Sequence, residues 1–318
     1  MTEVTIIIPN YNGKALLENC IKALEQQTYQ GFKVLIMDNG STDGSLSVTS
    51  GRLDMEIIAL GENTGFCKAV NLGIKKTKTP FVILLNNDTE ADPHFVEELL
   101  KGIKQGPDLF SGSAMMLDFK QRRLLDNAGD LYTVLGWARA RGKGKPAASF
   151  EEETDIFSAC GGAAVYRMEL LKKTGLFDER HFAYLEDVDL GYRAKIMGYR
   201  NRYFPKAKVW HVGSATTGTR YNEKKVFLAA RNSVYVVYKN MPLPQRILNA
   251  PFLLVGTVVK WFFFCRKGYG REYLTGIRDG MASCHGLKTT DFAAWPFSRY
   301  VRLEMEMLVG IFRILRGK

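Results

Sequence analysis

Three apolar runs near the start of the chain each stop abruptly in polar side chains. Val4-Thr5-Ile6-Ile7-Ile8 closes at Pro9-Asn10-Tyr11-Asn12, Val34-Leu35-Ile36-Met37 at Asp38-Asn39-Gly40, and Phe81 to Leu85 at Asn86-Asn87-Asp88. A continuous run, without the in-out alternation of a half-exposed strand, is a strand buried on both faces, as in a parallel sheet between helices. Glu56 to Leu60 reads as another strand. Between the strands lie stretches with helical spacing: Leu16, Leu17, Cys20, Ile21 and Leu24 in one, Phe66 to Ile74 in another. Strands alternating with helices of this length imply βαβ units and an α/β fold. Parallel strands carry their C-terminal tips on one edge, where open α/β sheets bind ligands.

The residues at those tips suit a nucleotide. Tyr11 can border a base, and Asp38 can accept from a pyrimidine N3–H. Asp88 offers hard oxygen to a Mg²⁺ or Mn²⁺ bridging a diphosphate. Each alone is also an ordinary turn former or helix cap; three on one edge is the stronger observation. Order returns after a basic, Gly-rich stretch from Arg139 to Pro146, read as a solvated loop. A strand through Ala164-Val165-Tyr166 precedes a helix from Met168 to Lys173. An acidic helix near Asp187 to Met197, a strand ending at Trp210-His211 and a long helix from Tyr221 to Lys239 follow. Glu186, Asp187 and Asp189 crowd the start of the acidic helix. Asp189 can pair with Arg193 at i,i+4. Crowding raises a carboxylate pKa, which suits Asp187, with Glu186 beside it, to general-base work. His211 is placed to ligate a metal; His94, His181 and His285 read as ordinary. The Gly/Thr-rich stretch after His211 can close over a ligand, with Arg231 near a diphosphate.

The segments "TIIIPNYNG", "VLIMDNGSTDGS", "NTGFCKAVNLGI", "LLNND", "GLFDERHFAYLEDVDLGYR" and "WHVGSATTG" together resemble the family 2 inverting glycosyltransferases, and most of all the bacterial subset labelled rhamnosyltransferases. The likeness runs from about Val4 to Asn232. It implies a GT-A type, mostly parallel sheet flanked by helices, and transfer of a sugar from a UDP or dTDP donor to a hydroxyl of a glycan or lipid-linked acceptor. It also implies a role for each matching residue. Pro9, Tyr11, Asp38, Asn63, Asn87 and Arg231 bind the donor, Asp88 and His211 hold Mg²⁺ or Mn²⁺, and Asp187, with Glu186, is the base. The family's metal triplet is often Asp-x-Asp; here Asn86 fills the first position and leaves Asp88 as its one charged ligand.

Two other classes fit less well. A sugar nucleotidyltransferase wants a Gly-rich basic loop directly after the first strand, which Pro9-Asn10-Tyr11-Asn12 is not. A non-catalytic scaffold of the same fold is favoured by Asn86 and opposed by Asp187 and His211.

The charge of the chain, +11, is concentrated at its end: from Met241 onward twelve Lys and Arg face five Asp and Glu. That excess collects beside apolar helices and not around any nucleic-acid motif, so nucleic acid is not expected as a partner. The sequence divides into a catalytic domain, residues 1–240, and a helical basic and apolar tail, 241–318. The tail is expected to associate with an anionic membrane surface, or to form a homodimer. Phe252 to Phe264 is nearly apolar, but a span needs about 20 residues. Pro251 and Lys260 are expected to block any extension, so the tail should lie on the bilayer. Five scattered cysteines, Cys20, Cys67, Cys160, Cys265 and Cys284, and an N-terminus running directly into a strand suggest a reducing cytoplasm. The expected location is therefore the inner face of the plasma membrane.

Overall fold

The computed structural model describes residues 2–213 and 221–316. The chain begins with β1 (Val4–Asn10), α1 (Lys14–Leu24), β2 (Phe32–Asp38), β3 (Met55–Ala59), α2 (Gly65–Lys76) and β4 (Phe81–Leu85). β5 (Thr89–Ala91), α3 (Phe95–Ile103) and β6 (Leu109–Asp118) follow. Next come three short strands, β7 (Leu125–Asn127), β8 (Asp130–Tyr132) and β9 (Ala138–Ala140). Then come β10 (Thr154–Ile156), β11 (Ala163–Arg167), α4 (Met168–Thr174), α5 (Glu186–Ile196) and β12 (Arg200–His211). The C-terminal helices are α6 (Glu223–Asn240), α7 (Leu243–Arg266), α8 (Gly270–Ser283) and α9 (Phe297–Leu315).

The strands order as β10-β12-β6-β11-β4-β1-β2-β3, with β5 and β7 paired at the side. β1, β2, β3 and β4 are parallel, as their unbroken apolar runs predict. β11 enters antiparallel between β4 and β6, and β12 lies parallel to β6. The sheet is thus mixed, yet β1, β2, β3, β4, β6 and β12 all run one way. Their polar ends therefore share one edge. Ile6, Ile8, Ile36 and Ile83 face α1 and α3 on one side of the sheet; Ile7, Leu35, Val82 and Leu84 face α2 and α5 on the other. β8 and β9 form a separate hairpin.

The Arg139–Pro146 stretch is not a free solvated loop. The Arg141 guanidinium lies over the rings of Phe150 and Tyr203, and Lys143 pairs with Asp126.

The start of α5 is locked by a buried polar knot. Asp189, with no exposure, accepts from Arg193 Nε at 3.0 Å, Lys239 Nζ at 2.9 Å and Asn240 Nδ2 at 2.8 Å. Lys239 also pairs with Asp178 at 2.7 Å. Burial acts to raise the Asp189 carboxyl pKa, but Lys239 and Arg193 outweigh it and hold the group far below the usual range. α8 packs on α6 through Gly276 and Gly280, where a Cβ would strike the Phe227 and Arg231 carbonyls.

Neither Pro251 nor Lys260 interrupts α7. It runs unbroken for 24 residues and holds an 18-residue stretch with a mean hydropathy of 1.7, long and apolar enough to cross a membrane by length and composition. Pro251 is exposed on the outward face. Lys260 turns inward, its ammonium 5.9 Å from the centre of the Trp137 ring, where burial lowers its pKa to about 8.

Removing one partner of a buried ion pair leaves the others uncompensated. Asp189→Asn is expected to cost about 3–5 kcal/mol of unfolding free energy, measured by urea denaturation at neutral pH. A depressed native pKa contributes stability that is complete above the unfolded value of about 3.9 and fades as pH falls below it. The gap between wild type and variant should therefore hold steady above about pH 5 and narrow in acid. A gap under about 1 kcal/mol at neutral pH would show that the knot carries little of the stability.

Candidate active site

The shared strand edge opens on a cleft of about 560 Å³. Its floor is laced by amides. Asn87 Nδ2 donates to Asn10 Oδ1 at 2.6 Å, and Asn10 Nδ2 donates to Asp38 Oδ2 at 2.8 Å, so the tips of β4, β1 and β2 are tied in series. Pro9, Tyr11, Asn39, Asn63 and Asn87 all reach the cleft wall. Tyr11 is 38% exposed there, an open ring face at the cleft edge.

Asp38 does not reach that wall. It has no exposure, and its two oxygens already accept from Asn10, the Ser41 hydroxyl at 2.7 Å and the Ser41 backbone N–H at 2.8 Å. The carboxylate shapes the turn after β2, and Asn39 next to it is the side chain that meets the cleft. Arg231 is also elsewhere. Its guanidinium donates to the carbonyls of Arg180 and His181 at 2.9 and 3.0 Å and to Asn232 Oδ1 at 3.0 Å. It braces the chain ahead of α5, and the α6 side chains at the cleft are Asn222, Lys224, Lys225 and Leu228. The Gly/Thr-rich stretch expected to close over the cleft lies, in residues 214–220, outside the described residues.

Asp88 and His211 end β4 and β12 on the same edge and meet. His211 Nε2 is 3.2 Å from Asp88 Oδ1, and its Nδ1 is 2.8 Å from Asp126 Oδ2. Asp126 had no motif to betray it, because its partner is 85 residues away in sequence. Lys143 sits on its outer side. Burial would lower the His211 pKa, but hydrogen bonds to Asp126 and Asp88 overcome it and raise the ring to about 9. Burial would raise Asp126, but the His211 hydrogen bond and Lys143 bring it down to about 2. With Nδ1–H donated to Asp126, Nε2 is the atom left facing Asp88. One imidazole nitrogen beside one carboxylate is a donor set that fits Mn²⁺ or Mg²⁺ and leaves room for phosphate oxygens.

The opposing wall carries the base candidates. Three of the four residues 182–185, none of them glycine, have positive φ: Phe182 at 63°, Tyr184 at 74° and Leu185 at 65°. This strain is held by α6, because Asn232 Nδ2 donates to the carbonyls of His181, Ala183 and Tyr184 at 2.7 to 3.0 Å. Backbone held so far from its preferred region collects at functional sites. It delivers Glu186 and Asp187 to the first turn of α5 at the cleft wall. Asp187 Oδ1 accepts from the Val188 N–H at 2.8 Å and Oδ2 from the Gly161 N–H at 3.3 Å. Burial pushes its pKa up against those bonds. Glu186 is driven higher by burial and by Asp187, and its Oε2 has no hydrogen-bond partner among the described residues. Asp130, from β8, and Cys160 bring an oxygen and a sulfur to Asp187, the three atoms lying within 4.8 Å of one another. Asp130, too, was invisible in the sequence, since β8 was not recognised as a strand.

The cleft thus sets a carboxylate–imidazole pair at one end and the Glu186–Asp187 carboxyl pair at the other, with an open aromatic ring at its rim. A leaving diphosphate suits the first and an incoming hydroxyl the second.

Comparison with known proteins agrees. Residues 5–175 match the model of the family described as "Glycosyl transferase family 2". An N-acetylglucosaminyl-diphospho-decaprenol L-rhamnosyltransferase of Mycobacterium tuberculosis is 27% identical over 73% of this chain and 86% of its own. A poly-beta-1,6-N-acetyl-D-glucosamine synthase of Staphylococcus aureus is 22% identical over 70% of this chain and 52% of its own. The fold is similar to the mannosyltransferase PcManGT of Pyrobaculum calidifontis, solved with GDP-Man and Mn²⁺. That match has a TM-score of 0.57 and 16% identity, and covers 99% of this chain and 86% of that one. It is also similar to S. aureus TarS 1-349, solved with UDP-GlcNAc, at a TM-score of 0.54 and 16% identity, covering 79% of this chain and 70% of that one. These neighbours share the GT-A fold. With the family model spanning more than half of its length, this chain belongs to glycosyl transferase family 2 and is a glycosyltransferase.

Proposed function

We propose that this glycosyltransferase moves a sugar, with L-rhamnose the first candidate, from a UDP or dTDP donor to a hydroxyl of a glycan carried on a lipid, with inversion at the anomeric carbon. The observation that carries the reading is the opposition, across one cleft, of the Asp88–His211 pair and the Glu186–Asp187 pair. The name of the mycobacterial relative supports both rhamnose and a diphospholipid acceptor. Residues 1–240 are taken as the catalytic unit and 241–318 as its appendage.

The donor's base lies against Tyr11, between Asn39 and Asn63, and its diphosphate points to Asp88 and His211. Those two side chains would hold Mg²⁺ or Mn²⁺, which when bound would supply positive charge for the departing diphosphate. Asp126 keeps the His211 ring turned with Nε2 toward that position. At the other end the acceptor hydroxyl gives its proton to the Asp187 carboxylate. Its oxygen bonds to the anomeric carbon as the bond to the diphosphate breaks on the far side, in one displacement. Glu186, with its raised pKa, stays protonated and neutral beside Asp187, so two anions do not compete in one buried corner. Screening nucleotide-sugars by mass spectrometry for turnover on a polyprenyl-diphosphate-linked sugar tests the whole reading. Turnover of a donor onto such an acceptor is expected, and donor that remains intact with every acceptor would sink it.

Asp187→Asn should retain donor binding and lose transfer by about 100-fold or more. The base acts only when ionised and its pKa is raised. Wild-type kcat should therefore fall with decreasing pH through a midpoint above the ordinary Asp value of about 3.9. Near-normal turnover by the variant removes Asp187 from this role.

EDTA should abolish transfer and Mn²⁺ or Mg²⁺ should restore it; full activity in chelator would mark a metal-independent site. Asp126→Leu should weaken Mn²⁺ binding about 10- to 100-fold, followed by electron paramagnetic resonance titration in the presence of UDP. Unaltered Mn²⁺ affinity would reduce Asp126 to a structural partner of Lys143.

A further inference from the structure

We propose that α7 and α9 together form a surface that lies in the plane of an anionic lipid bilayer without crossing it. Each helix has a docked face and a bare apolar face. On α9, Tyr300, Leu303, Met307 and Gly310 are buried. At 100° per residue the opposite side carries Phe297, Val301, Met305, Val309, Phe312 and Leu315, all exposed, with Phe297 at 80% and Leu315 at 77%. On α7, Gln245, Asn249 and Gly256 face inward, and Leu243, Ile247, Leu254, Val255, Val258 and Phe262 stand exposed. A folded soluble chain rarely leaves two such faces bare.

The two faces form one surface because both helices rest on the β8–β9 hairpin. Gly256 packs on the Leu135 carbonyl and Gly310 on that of Tyr132. Gln245 and Asn249 of α7 donate to Glu304 of α9 at 2.7 and 3.0 Å. Both bare faces therefore point away from the hairpin. The outward face of α7 carries no charge before Arg266 at its end: Lys260 turns toward Trp137, and the Arg246 guanidinium lies 5.1 Å from the centre of the Tyr238 ring.

Length alone would let α7 span a bilayer; its inner face argues for lying flat. The bonds to Glu304 and the Trp137 Nε1–H donated to the Gly256 carbonyl at 3.0 Å pin it along the protein. A crossing helix would break these bonds or drag Glu304 and Lys260 into hydrocarbon. Charge points to anionic lipid. The acids of α9 are turned away, Glu304 to α7 and Glu306 to Lys195 at 3.0 Å. Arg302, Arg313 and Arg316 stand exposed along one border of its apolar stripe, and Arg266, Lys267 and Arg271 at the end of α7. An apolar stripe bordered by cations is the pattern of a helix lying in the interface. The same hairpin begins at Asp130, beside Asp187, so the bilayer would lie one hairpin away from the proposed base. That placement accounts for a lipid-carried acceptor, but the surface itself does not depend on the identity of donor or acceptor.

The test uses the full chain in flotation with phosphatidylcholine vesicles, with and without phosphatidylglycerol. Val258→Glu/Phe262→Glu and Val301→Glu/Met305→Glu change only exposed side chains, so thermal melting and UDP-sugar hydrolysis report that fold and site are intact. Wild type should float with the anionic vesicles and release at high salt or alkaline pH. Each double variant should bind roughly tenfold more weakly or worse, with hydrolysis unchanged. Equal flotation of wild type and variants overturns the proposal. So does retention through alkaline extraction, which would make α7 a span. A lipid-free dimer that the same substitutions dissociate would assign the surface to a second copy instead.

Discussion

Asp189 accepts from Arg193 on its own helix and from Lys239 and Asn240 at the end of α6, with no contact to water. The rest of the functional architecture depends on this knot. It fixes α5 to α6 two residues beyond Asp187, so the base candidate cannot move without the whole helix pair. The same α6 reaches forward through Arg231 and Asn232 to hold the strained 182–185 backbone. α6 also carries α8 on its far side. One helix thus sets the position of the cleft wall and anchors part of the C-terminal appendage.

The two ends of the cleft arise from different physics. The Asp88–His211–Asp126 corner is charged and mutually satisfied: each carboxylate has the imidazole within reach, and Lys143 closes the row. The Glu186–Asp187–Asp130 corner is the opposite, with buried carboxyls near one another, none paired with a cation among the described residues, and all shifted toward the neutral form. Keeping the two environments apart lets one site retain negative charge for a cation while the other keeps a proton acceptor of raised basicity.

The sheet edge was legible because its signal is local. Each unbroken apolar run with a polar end names a parallel strand and its tip, and Asp88, Asn87, Pro9 and Tyr11 could be placed from that alone. Asp38 was placed at the correct tip, but nothing in a sequence shows that Asn10 and Ser41 would donate to its oxygens. The contacts of Arg231 were equally hidden. Its helix was recognised, but the rotation of that helix, which sends the guanidinium to the Arg180 and His181 carbonyls, is set by packing on α8 and α5. In the tail, counting apolar residues between Pro251 and Lys260 underestimated the helix. Lys260 does not interrupt it because its side chain turns toward Trp137, a direction set by packing on the hairpin.

The sequence by itself determined the parallel strands β1 to β4, the polar edge they share, the acidic start of α5 and the cationic, apolar character of the last quarter. All follow from periodicity and from short-range charge, which neighbours in the chain suffice to create. Only the tertiary structure decided that Asp126 stands behind His211, that Asp130 stands beside Asp187, and that α7 and α9 meet through Glu304 on the β8–β9 hairpin. Those are distances between residues far apart in the chain, and packing of the whole sheet and helix set is what fixes them.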